Sequence, residues 1–88
     1  MSELSQADAA KAVAHPLRAA ILERLQDREA SPIELAREMK EPIGNVSYHV
    51  RALHRLGAIR LVRQRQVRGA VEHYYTASVR ISLSQEPV

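Results

Sequence analysis

The most restrictive feature of the chain is the punctuation between Ser31 and Gly57. Ser31 can accept a bond from an amide three residues on, and Glu34 can return one to the amide of Ser31. Pro32 suits a first helical turn, whose amide would be unpaired anyway. Together they predict a short helix over 32–39, with Ile33, Ala36 and Met39, and Leu35 beside them, on its buried side. Val46, Val50, Leu53 and Leu56, spaced by four, three and three residues, predict a second helix over 44–56. Gly57 then stands where helices commonly end in a left-handed conformation. Only "KEPIG" lies between the two, with Pro42 and Gly44 to make a sharp turn. Two helices joined so tightly, the second polar on its outer face, predict a helix-turn-helix over about 32–56.

The flanking segments fit around that unit. Ser5 followed by Asp8 opens an Ala-rich helix to about Ala14, and His15-Pro16 breaks it, because the residue before proline is pushed out of the α region. Pro16 starts the next helix, which turns Leu17, Ile21, Leu22 and Leu25 inward and Arg18, Glu23, Arg24 and Asp27 to water. After Gly57 the period changes. "AIRLVRQRQ" and "AVEHYYTAS" read as strands of about 59–66 and 71–77, joined at a basic tip around Gly69. The expected fold class is therefore mainly α with a small β-hairpin: about four helices and a two-stranded wing over about 59–77, as one domain of 88 residues with a short tail over 78–88.

Charge points to the partner. Residues 1–43 carry six cations against eight acids, a net −2, whereas residues 44–80 carry seven arginines against Glu72 alone, a net +6. Arginine suits bidentate contacts to phosphate and guanine, so a one-sided basic segment is the footprint expected of a nucleic-acid binder. The chain has no cysteine, which excludes disulfides, thiolate metal sites and cysteine nucleophiles. No apolar run approaches a membrane span, and the N-terminus lacks the order of a secretory signal, so a soluble cytoplasmic protein without membrane contact is expected.

The major groove of B-DNA admits one α-helix and presents a distinct pattern of donors and acceptors for each base pair. A reading helix needs short polar residues near its N-terminal end, apolar residues behind it, and cations at its flanks. With Val46, Val50 and Leu53 inward, Asn45, Ser47, Tyr48 and Arg51 fall on the outer and flanking faces of the 44–56 helix. Asn45 is a candidate for adenine, Arg51 for guanine or phosphate, and Ser47 and Tyr48 for base edges or backbone. Arg55, one turn beyond Arg51, is placed for phosphate, and Arg63, Arg65 and Arg68 on the wing for the backbone or minor groove.

The stretches "AHPLRAAILERL", "SPIELAREM" and "NVSYHVRALHRLGAIRLVRQRQVRGAVEHYY" resemble the winged helix-turn-helix of ArsR-type transcriptional regulators over roughly residues 9–77. The most specific pieces are the "HPLR" corner, the "VSYHVRAL" helix followed by "LGAI", and the "RGAVEHYY" wing. The resemblance implies a homodimer on an imperfect palindrome of double-stranded DNA, usually repressing a promoter. It also adds Gly44 to Asn45, Ser47 and Tyr48 as base-contacting positions. Three departures stand out. Cysteine-based metal sensing has no residues here, about ten residues follow the wing where many members have a long dimer helix, and Glu41-Pro42-Ile43-Gly44 replaces the usual Ser or Thr cap. Dimerisation is accordingly expected through the N-terminal helix, residues 5–14, with the C-terminal tail as a second candidate surface.

The remaining polar residues read more plainly. His15, His49, His54 and His73 have no metal-ligand spacing, so no metal or other cofactor is expected; His15 reads as a corner residue and His49 as lying at the edge of the helix packing. Arg18 reads as solvating its helix or making a local pair, and of Tyr74 and Tyr75 one should pack inward and the other face out. No Gly-rich phosphate loop or paired nucleophile and base supports an enzyme. The competing function is a winged-helix module for protein–protein assembly, which would more often carry an apolar patch in place of the polar face and basic wing.

Overall fold

Local capping sets the helix limits. In the computed structural model, which describes residues 4–80, Ser5 accepts from the Asp8 amide at 3.1 Å and starts α1, Gln6–Ala12. This helix ends two residues before Ala14, as Val13 leaves helical geometry and the chain turns toward His15. His15 caps α2, Pro16–Arg24, its Nδ1 accepting from the Leu17 amide at 3.2 Å. Both bonds of the capping box form at α3, Pro32–Met39: the Glu34 amide donates to Ser31 Oγ at 3.3 Å, and the Ser31 amide donates to Glu34 Oε1 at 3.0 Å.

The turn between α3 and α4, Ile43–Leu56, differs from expectation. Lys40, ahead of both Pro42 and Gly44, takes a left-handed conformation (φ 56°), and the Glu41 amide donates a hydrogen bond to the Ala36 carbonyl that closes the end of α3. Gly44 lies inside the first turn of α4, which begins at Pro42 without a side-chain cap. At the other end Gly57 is left-handed as expected (φ 81°), and the Ala58 amide reaches back to the Leu53 carbonyl.

β1, Ile59–Val67, and β2, Ala70–Ala77, pair antiparallel, with a register shift between Leu61 and Arg63. Arg68 and Gly69 form a two-residue turn with both φ positive (51° and 80°), a tighter tip than a loop around Gly69 alone. The wing's root is stitched to the α2–α3 connection. Ala30 and Tyr75 exchange amide–carbonyl bonds at 3.0 Å, the Ala77 amide donates to Leu25 O, and Thr76 Oγ1 donates to Arg28 O at 2.6 Å.

Ile21, Leu22 and Leu25 of α2, Leu35 of α3, Val46, Val50 and Leu53 of α4 and Ile59 of β1 form one core. Burying such side chains stabilises a domain by ~1.5–3 kcal/mol each. Among the described residues the result is a winged helix-turn-helix of four helices and a two-stranded hairpin. Two details depart from the sequence reading. Ile33 is exposed, because α3 packs through Leu35 and Ala36 and Ile33 falls on the side toward the wing. Neither Tyr74 nor Tyr75 faces freely out: Tyr75 packs against the core, and Tyr74 is only 3% exposed under Arg63. The tail beyond residue 80 lies outside the described residues.

Candidate nucleic-acid interface

Helix α4 buries Val46, His49, Val50 and Leu53 and leaves Gly44, Asn45, Tyr48, Arg51 and Arg55 exposed, with Ser47 half-buried. The structure divides the expected readers among three directions. Gly44 and Tyr48 lie on the outer surface, Tyr48 at 55% exposure. Ser47 and Arg51 line a groove shared with β2, whereas Asn45 turns the opposite way and lines a cleft with His15, Pro16, Glu41 and His49. Asn45 is thus apart from Ser47 and Arg51, because two residues along a helix separate side chains by about 200°.

The cleft holds an unexpected polar joint. His15 and His49 stack with ring centroids 4.5 Å apart, and His49 Nδ1 accepts from Arg18 Nε at 3.3 Å. Arg18 also donates to the Lys11 carbonyl at 2.9 Å, so this half-buried side chain ties the end of α1 to α2 and α4. Burial, with the neighbouring His15 and Arg18, holds the His49 pKa below its ordinary value of 6.5. His49 lies buried beside exposed Tyr48, whose ring meets it edge-on at 5.1 Å.

The wing arginines divide as well. Arg63 donates to Glu29 at 2.9 Å and lies over the Tyr74 ring at 4.0 Å, and Glu29 raises its pKa. Tyr74 in turn donates to Glu72 at 2.9 Å. Arg63 is therefore paired near the wing's root, its counter-charge coming from Glu29, 34 residues away. Arg65 faces Glu72 across the hairpin, and Arg68 sits at the tip. Arg51, Arg55, Arg65 and Arg68 form no ion pair among the described residues, unlike Arg24 and Arg28, which share Glu38 and lower its pKa.

Sequence reasoning missed two contributors. Lys11 joins Arg18 and Arg55 around Tyr48, adding a cation from the acidic half of the chain. Its proximity to α4 depends on how α1 crosses that helix, which no local spacing encodes. Ile43, the first residue of α4, is 46% exposed beside Ile33 and Val71. Ile43 stands three residues before Val46, in phase with the buried stripe, so periodicity alone assigns it to the core.

A family model described as a helix-turn-helix domain matches residues 13–62. Among solved structures, reduced HlyU from Vibrio cholerae is 29% identical with a TM-score of 0.71, over 83% of this chain and 72% of that one. HlyU from Vibrio vulnificus, described as a transcriptional regulator, is 28% identical with a TM-score of 0.63, over 81% and 69%. NolR from Sinorhizobium fredii is 26% identical with a TM-score of 0.62, over 90% and 83%. No curated protein matches the chain.

Proposed function

The chain belongs to the helix-turn-helix domain family, and from that premise we propose that it is an ArsR-type transcriptional regulator, a cytoplasmic repressor that binds double-stranded DNA sequence-specifically as a homodimer. One observation carries the reading: Arg51 and Arg55 on the exposed face of α4, and Arg65 and Arg68 on the wing, are held in no ion pair among the described residues. In this reading Gly44, Tyr48, Ser47 and Arg51 enter the major groove, Asn45 contacts its margin, Arg55 with Lys11 meets one phosphate strand, and Arg65 and Arg68 meet the next. The likeness to a protein described as a transcriptional regulator supports it. The exposed Ala7, Ala9, Ala10 and Val13 of the N-terminal segment support dimerisation there.

Fluorescence anisotropy against mixed-sequence duplex, followed by selection of bound fragments, tests the reading. Affinity should fall steeply with salt, with log K against log salt sloping by about −0.9 per phosphate neutralised. Arg68→Ala should flatten that slope by about one unit, and Arg63→Ala should leave it unchanged. Absence of binding at low salt would overturn the reading in favour of a protein-assembly module, a function the apolar side of the same face could serve. Ultracentrifugation tests the homodimer, which a monomer at micromolar concentration would exclude.

A further inference from the structure

The face proposed to meet DNA is not polar throughout. Between the first turn of α4, the start of α3 and the outer part of β2 runs a groove whose open wall is apolar: Ile43 is 46% exposed, Val71 48%, and Ile33 beside them is exposed too. Three large apolar side chains gathered on the surface of so small a domain leave unfavourable hydration unless something covers them. Ser47 and Arg51 border the same groove, and the start of α4 adds amides with no side-chain cap. The groove's acid, Glu72, already accepts from Tyr74. An occupant must therefore bring an apolar group on an anionic support.

Resting on the DNA-binding reading, we infer that this groove receives the 5-methyl group of a thymine, and that Ile43 is the residue that reads it. In the major groove, base edges present donors and acceptors and one apolar group, the thymine methyl. Ile43 is the first residue of the helix whose N-terminal end would face those edges, and Ile33 and Val71 close the pocket around it. Arg51 and the uncapped turn meet the phosphates or polar edges on either side. The groove thereby supplies sequence preference without a hydrogen bond.

The test uses the duplex recovered by selection, with each thymine replaced in turn by deoxyuridine, which removes only the methyl group. Wild-type protein should lose about fourfold in affinity at one thymine of each half-site, the equivalent of one buried methyl group. Ile43→Ala should bring the thymine-to-uracil ratio at that position to about one without changing the salt slope, and Ile43→Val should retain part of it. Circular dichroism of each variant checks that α4 is intact. A selected half-site without a fixed thymine, uniform tolerance of deoxyuridine, or discrimination persisting in Ile43→Ala would overturn the inference while leaving DNA binding standing. Loss of all duplex binding, with the groove instead protected by a protein partner, would overturn both.

Discussion

The two helices of the helix-turn-helix begin in opposite ways. At α3 the cap is internal and complete: Ser31 and Glu34 exchange bonds, and Ser31 is fully buried. At α4 the cap position is Pro42, no side chain closes the first turn, and no acid lies within it. The first bonds of that turn come from the Asn45 and Val46 amides to the Pro42 carbonyl. Helix N-termini carry partial positive charge and unpaired amides, which attract anions. The difference teaches that the helix holding the scaffold satisfies its own end, while the helix proposed to face DNA leaves its end open.

Ways to break this comparison rank by size. Tyr48→Ala, one turn into the open helix, should cost ~1–3 kcal/mol on the preferred duplex and less on random DNA. Equal losses on both would make Tyr48 a backbone contact. Ser31→Ala should cost ~1–2 kcal/mol of folding stability in denaturant titrations yet leave the DNA salt slope of the folded protein unchanged. A changed slope would mean that the cap of α3 also shapes the interface. Pro42→Asp supplies α4 with the missing cap but removes proline's rigidity, effects of ~0.5–1 kcal/mol each and opposite in sign. Stability should therefore move little, while the added anion weakens DNA binding severalfold; unchanged affinity would show that the open end is not used.

The smallest effect is a pH dependence behind the open helix. Because His49 has a lowered pKa in the folded protein, the unfolded chain binds more protons between that value and 6.5. Stability should be fully present above pH 6.5 and decline as pH falls through the folded value, with His15, Arg18 and Tyr48 the groups around the ring. His49→Gln should flatten this part of the thermal-midpoint profile. A profile unchanged by the substitution would locate the titration elsewhere.

What was legible in the sequence is what short-range chemistry decides. The Ser31 box, Pro16 and Pro32 at helix starts, Gly57 at a helix end and the period change after it are all local, and the structure reproduces them. Lys40 as the left-handed residue was not legible, since glycine nearby is the stronger prior for that conformation and Gly44 lies four positions on. The candidate interface was legible as a face but not as a set of directions. Asn45 turns toward the α2 corner, Arg63 is captured by Glu29, and Tyr74 is covered by that same arginine. The last two outcomes depend on which distant segment packs alongside, and charge counting along the chain treats Glu29 and Arg63 as unrelated.

The hairpin is built like a beam clamped at one end. Its root is fixed by Ala30, Leu25 and Arg28 through backbone and Thr76 bonds, and its last anchored cation is Arg63. Beyond that point every β1 residue to Gln66 is exposed, and only β2 keeps neighbours outside the hairpin, along the groove it shares with α3 and α4. A two-stranded ribbon alone is marginally stable, and deflection of a clamped beam grows with distance from its support. Arg68 therefore rides where the sweep is widest, four to five residues or ~15 Å past the clamp. A cation on such an arm can follow a phosphate path whose width varies from one duplex to another, while the helix beneath it stays fixed.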